Sequence, residues 1–75
     1  MEIEIIYCAM WSYEPKAVSL AESLMHKYKR NISKLILIPS DGGRFEVSIN
    51  GKLIFSKLKE GRFPENQEIF NLLKK

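Results

Sequence analysis

Between Glu2 and Pro39 the sequence changes its hydrophobic period twice, and this double change restricts the fold more than any other feature. Glu2 to Tyr7 alternates with a period of two. Ile3, Ile5 and Tyr7 fall on one face, Glu2, Glu4 and Ile6 on the other, which is the pattern of a strand. Its end is apolar on both faces, which suits an interior place in a sheet. From Ser12 or Tyr13 to Arg30 the period lengthens to that of a helix. Ala17, Leu20, Ala21, Leu24 and Tyr28 form its buried stripe, widened by Val18 and Met25. Lys16, Ser19, Glu22, Ser23, His26, Lys27 and Lys29 face outward. Ser12 is expected to cap this helix, Glu14 to complement the positive end of its dipole, and Pro15 to sit in the first turn, where a missing N–H is tolerated. Lys27, Lys29 and Arg30 suit the opposite end, and Asn31 is a stop. Lys34 to Pro39, KLILIP, is then a continuous apolar run, expected as a strand covered on both faces. Strand, crossover helix and strand make a right-handed βαβ unit with parallel strands.

The second half adds a hairpin and a helix. Ser40 to Gly43, SDGG, is a turn. RFEVSI alternates with Phe45, Val47 and Ile49 inward and Glu46 and Ser48 outward. Asn50-Gly51 is the strongest short hairpin signal, and KLIFS returns as the partner strand. Lys57 to Arg62 reads as a charged loop. The tail from Phe63 predicts a second helix, with Pro64 near its start, Glu65 and Glu68 early, and Lys74 and Lys75 at the end. Ile69, Phe70, Leu72 and Leu73 supply its apolar face. The predicted fold is α/β: a β-α-β-β-β-α two-layer sandwich with a four-stranded mixed sheet and two helices. Residues 1–75 form a single domain, without linkers or repeats.

Composition narrows the function. A 75-residue chain buries roughly 60% of its unfolded surface, so its stability margin is thin. Net charge is +3 and the isoelectric point is near 9.1, but the basic residues are scattered and interrupted by acids. A nucleic-acid footprint is therefore not expected, and a solvated surface is. One Cys allows no internal disulfide and one His makes no obvious metal cage. A free thiol suits a reducing compartment, most simply the cytoplasm. MEIEIIYC lacks the basic start and apolar run of a signal peptide. No apolar stretch approaches the ~18 residues that span a bilayer, so no membrane partner is expected.

The residue most suited to chemistry is Cys8, the sole cysteine, placed where the first strand hands over to the helix. Backbone N–H groups at a helix start favour negative charge, and the thiolate is the nucleophilic form. The bland alternative is a small buried hydrophobe.

The segment YCAMWSYEPKA resembles the active-site region of the selenoprotein W-like family, the SelW, SelT and SelH (Rdx) group. There a Tyr-Cys pair is followed by two residues, then Cys or selenocysteine, then a helix often opening Tyr-x-Pro-Lys. Tyr7, Cys8, Tyr13, Pro15 and Lys16 stand in those places. The resemblance continues through SDGGRFEVSINGKLIFSKLKEGRFPE and covers nearly the whole chain. It implies a thioredoxin-like fold and a thiol-based redox role linked to glutathione, with Cys8 as the catalytic residue. Trp11 stands where the family carries the second Cys or selenocysteine. Without that sulfur an internal dithiol cycle cannot close. Monothiol chemistry at Cys8 remains: sulfenic acid formation, glutathionylation, or exchange with a partner protein thiol. Glutathione is then a co-substrate, and no bound cofactor is expected.

The same loop supports a second reading. Met10 and Trp11 form an apolar patch beside the thiol, and with Tyr13 they suit a docking surface, because Trp is enriched among interface anchors. Trp11 packed against the sheet edge is the plain alternative. On this reading the chain is a non-catalytic protein-binding module. Gly42-Gly43 reads as a tight turn rather than an anion cradle. His26 lies well along the helix from Cys8 and reads as a solvated side chain. Lys16 reads as a surface lysine near the helix start. Phe63 is expected to pack beneath the second helix, and Arg62 offers a weak attraction for an anionic partner.

Overall fold

The first strand, expected at an interior place in the sheet, has a strand on each edge in the computed structural model of the chain. The structure describes residues 1–73. The sheet contains β1 (Glu2–Cys8), β2 (Lys34–Ser40), β3 (Phe45–Ile49) and β4 (Lys52–Ser56) in the order β2-β1-β3-β4. β1 and β2 are parallel, in register from Glu2 beside Lys34 to Cys8 beside Ser40. The crossover between them is α1 (Glu14–Tyr28) and a 3₁₀ turn, Lys29–Asn31. β3 runs antiparallel to β1, with Ile5 beside Val47 and Tyr7 beside Phe45.

The β3–β4 hairpin turns at Asn50 and Gly51, with φ of 53° and 83°. Positive φ at both central residues matches the twist of the flanking strands, and Asn followed by Gly adopts it at low cost. A bulge between Val47 and Ser48 shifts the register of β4.

The side chains sort onto two unlike faces. Ile3, Ile5, Phe45, Val47 and Phe55 are buried against Ala17, Leu20, Ala21 and Leu24 of α1 and Ile69 of α3 (Asn66–Leu73). This single apolar layer is the core. Register puts Glu4, Ile6, Ile36, Ile38, Glu46 and Ser48 on the other face. None of these six is fully buried.

Several expectations require correction. Ser12 does not cap α1: it takes a left-handed φ of 60°, and Tyr13 occupies the cap position with no side-chain hydrogen bond. Val18 and Met25 are about half exposed rather than part of the buried stripe. Ser23 is turned in, its hydroxyl accepting from Asn66 Nδ2 at 2.8 Å. β2 is an edge strand with exposed Ile36 and Pro39, not one covered on both faces. An edge also tolerates Pro39, which has no N–H to donate. The charged loop after β4 contains one helical turn, α2 (Lys57–Glu60), ended by Gly61 at φ 75°. A glycine suits that left-handed stop. Lys74 and Lys75, expected to close the second helix, lie outside the described residues.

Candidate functional site

Cys8 ends β1 and is fully buried, contrary to the exposure that a reactive thiol requires. The manner of burial matters. Alternation along β1 sets Cys8 on the same face as Glu4 and Ile6, away from the helix layer. Accordingly Cys8 is absent from the principal apolar cluster, although it has no solvent exposure. Helix α1 begins six residues later, at Glu14, and packs on the other face. The start of α1 nonetheless returns to the Cys8 backbone, because Tyr13, at the helix cap position, donates its N–H to the Cys8 carbonyl.

Two polar residues flank Cys8, one on β2 and one just before β3. Ser40 stands directly across from Cys8 on β2. On the other side, the β1–β3 register carried one step past Tyr7 and Phe45 brings Arg44 alongside. The Arg44 guanidinium donates from Nη1 to Ser40 Oγ at 3.5 Å, the outer limit of a hydrogen bond. Nη2 donates to Glu46 Oε1 at 3.0 Å. Glu46 Oε2 accepts from Ser56 Oγ at 3.3 Å. A polar chain thus runs from β2 to β4, passing the end of β1.

The loop after Cys8 is tied at three points. Ala9 N–H donates to the Ser40 carbonyl at 2.9 Å, Ser12 N–H to the Ala9 carbonyl at 3.2 Å, and Tyr13 N–H to the Cys8 carbonyl at 3.1 Å. Met10 is 79% exposed and Trp11 60%. The underside of the Trp11 ring rests on Gly43, where an added Cβ would stand 2.4 Å from Cζ3. An aromatic run then leads inward through edge-to-face contacts. Trp11 meets Tyr13 at 6.0 Å, Tyr13 meets Phe63 at 4.7 Å, and Phe63 meets buried Phe45 at 5.4 Å. These separations suit favourable aromatic pairing. Lys16 Nζ lies 5.1 Å from the Phe63 ring centre, and Lys57 Nζ lies 5.2 Å from Phe63 and 5.6 Å from Tyr13. These are cation–π distances.

Of the sequence-derived candidates, Trp11 and Tyr13 therefore come together, Met10 is exposed, and Cys8 is fully buried at the end of β1. Arg44, Phe63 and Lys57 complete the surroundings. Arg44 was legible in principle, since RFEVSI alternation puts it in line with Glu46; Lys57 had no sequence signal. Among the described residues no group of three His, Cys, Asp or Glu side chains could hold a metal ion. No described helix is long and apolar enough to cross a membrane.

The model of the Rdx family matches residues 2–75. The chain belongs to the Rdx family. Mouse selenoprotein W is 28% identical over 97% of this chain and 84% of its own length. The bovine protein named migration and invasion enhancer 1 is 29% identical over the whole chain and 64% of its own length. A SelT-like protein of Arabidopsis thaliana is 64% identical over 31 residues, 41% of this chain and 15% of that protein. The chain thus spans less than two thirds of these last two relatives. The crystal structure of a selenoprotein W-related protein from Vibrio cholerae superposes with a TM-score of 0.90 at 34% identity, covering 93% of this chain and 88% of that one. Its close superposition agrees with the thioredoxin-like α/β fold read from the sequence. Membership of the Rdx family points to a redox-related function.

Proposed function

We propose that this Rdx domain is a monothiol redox protein in which Cys8 reacts by thiol–disulfide exchange with glutathione disulfide or a partner protein's disulfide. In that step the Cys8 thiolate attacks one sulfur, the old S–S bond breaks, a mixed disulfide forms and the other half leaves as a thiolate. With Trp11 in place of a second sulfur, an outside thiol must resolve the adduct. The observation that supports this reading is the place of Cys8. It is the chain's one thiol, and although buried it is not part of the main apolar cluster, lying on the strand face that alternation sets away from the helix layer. Its burial is then a matter of cover, and cover can move. A reducing cytoplasm is the compartment such a thiol suits.

A second reading has its own support. The outward position of the motif is Trp11, 60% exposed, while the remaining sulfur has no exposure. A chain that lost the outward sulfur and gained an exposed Trp beside Met10 is suited to docking a protein partner through Met10, Trp11 and Tyr13. Intact-mass analysis after incubation with glutathione disulfide separates the two. Monothiol chemistry predicts one glutathione on the native chain and none on Cys8→Ser. If the adduct forms only in denaturant, the monothiol reading is wrong and the docking module stands. Partner binding would then survive Cys8→Ser and weaken in Trp11→Ala.

A further inference from the structure

A cysteine on the outer face of a two-layer fold should be accessible, yet Cys8 has no exposure. Something on that face must cover it, and the polar chain supplies a candidate. Arg44 sits on the β3 side of Cys8 and Ser40 on the β2 side. The hydrogen bond between them therefore spans the width of β1 at the level of its last residue. Two strand spacings amount to roughly 10 Å, and an extended arginine has the reach. At that level of β1 the side chain on this face is Cys8. The second anchor, Glu46, stands beside Ile6, one place further from the strand's end. Arg44 keeps 43% of its side chain in solvent, while Glu46 keeps 16%.

We infer that Arg44 is a positively charged strap over Cys8, and that it selects for anionic disulfides as co-substrates. The inference rests on the reading of Cys8 as the reacting sulfur. In the closed state the guanidinium is held by Ser40 and Glu46 and shields the sulfur. A reagent reaches Cys8 when the strap lifts. A reagent that carries a carboxylate gives the guanidinium a new partner in exchange for Ser40 and Glu46; a neutral or cationic one does not. Glu46 tempers the positive field but lies beside Ile6 rather than Cys8, so the charge nearer the sulfur is Arg44. The strap costs little to lift. Its link to Ser40 is long, and its ion pair is partly exposed, the kind that contributes little.

Three small symmetrical disulfides test this: anionic 3,3′-dithiodipropionate, neutral 2-hydroxyethyl disulfide and cationic cystamine. Each forms a mixed disulfide with Cys8 and releases its other half as a thiolate. Adduct formation is followed by intact mass on the folded chain. The expected order of rate is anionic, neutral, cationic, with roughly fivefold between the extremes, after correction for each reagent's rate with the urea-unfolded chain. Arg44→Ala should raise the neutral rate by removing the cover. Arg44→Gln should abolish the charge preference, and Arg44→Lys should retain it. Glu46→Gln should strengthen the anionic preference by freeing the guanidinium. An unchanged preference in Arg44→Gln, or an unchanged neutral rate in Arg44→Ala, overturns the strap while leaving monothiol chemistry intact. If wild type and Arg44→Ala resist all three reagents when folded and react only in urea, both the strap and the monothiol reading fall.

Discussion

The indole of Trp11 lies on the backbone of Gly43, so close that a Cβ there would stand 2.4 Å from the ring. Two loops of different origin are joined by this contact: the one after β1 and the one before β3. Gly43 also holds φ at +75°, so it meets two demands at once, an open backbone conformation and a flat seat for a ring.

The two demands can be separated by measurement. Gly43→Ala should cost about 2–4 kcal/mol in urea denaturation, with ~1–2 of that from the left-handed φ. In a Trp11→Ala background the ring is gone, and the same substitution should cost only the φ part. The coupling between the two sites is the quantity to read. Strictly additive costs would mean that the ring does not occupy the seat.

A second tie sits at the opposite end of the sheet. Asn50 N–H donates to the Glu2 carbonyl at 2.7 Å, and Asn50 Oδ1 accepts from Glu2 N–H at 2.8 Å. The hairpin turn is thus pinned to the first residue of β1, while its own φ is 53°. Asn50→Ala removes the side-chain acceptor and meets the left-handed penalty, for an expected loss of about 1–2 kcal/mol. Asn50→Gly keeps the backbone conformation and loses the acceptor alone, so it should cost less than Asn50→Ala. Equal losses would assign the whole effect to the missing hydrogen bond.

What the sequence revealed about the fold depended on how local each signal is. Asn50-Gly51 specifies its hairpin within two residues, and the pairing of Ile49 with Lys52 follows. The stripe of Ala17, Leu20, Ala21 and Leu24 repeats often enough to identify the buried face of α1. Ser12 misled because capping propensity is a property of one residue, whereas the loop's closure from Tyr13 N–H to the Cys8 carbonyl set the backbone there. KLILIP misled because apolar content alone does not distinguish an edge strand from a central one. Strand order decides that, and strand order comes from long-range pairing. The candidate site suffered most. Proximity in sequence suggested that the Cys8 thiol lies open beside Trp11, but β1 runs through Cys8, whose side chain is fully buried and falls in line with Ile6, while Trp11 is 60% exposed. The alternation rule was available; its extension through Cys8 required knowing that the strand runs that far. The approach of Arg44 to Ser40 required the parallel register of β2, which no local pattern encodes.

The pH dependence of stability should carry the signature of one surface pair. Arg62 grips Glu68 with two hydrogen bonds, Nη1 to Oε1 at 2.8 Å and Nη2 to Oε2 at 2.7 Å. These bonds hold the Glu68 carboxyl below the usual carboxylate range, aided by the Glu65 N–H and the Arg62 charge and opposed by partial desolvation. A carboxyl whose folded pKa lies below its unfolded value stabilises the fold fully above the unfolded value, ~4.3 for Glu. That contribution disappears as pH falls through the lower, folded value, because there the folded state must take up the proton as well. The pair is exposed, so the effect is small in magnitude, but its position on the pH axis is specific. Thermal midpoints of wild type and Glu68→Gln should differ at about pH 7, and the difference should close as pH drops below ~4. Raising salt at neutral pH should narrow the same gap, since the interaction is screened at the surface. A gap that persists unchanged into strong acid would mean that Glu68 acts through packing or helix propensity in α3 and that the grip of Arg62 contributes nothing to the folded state.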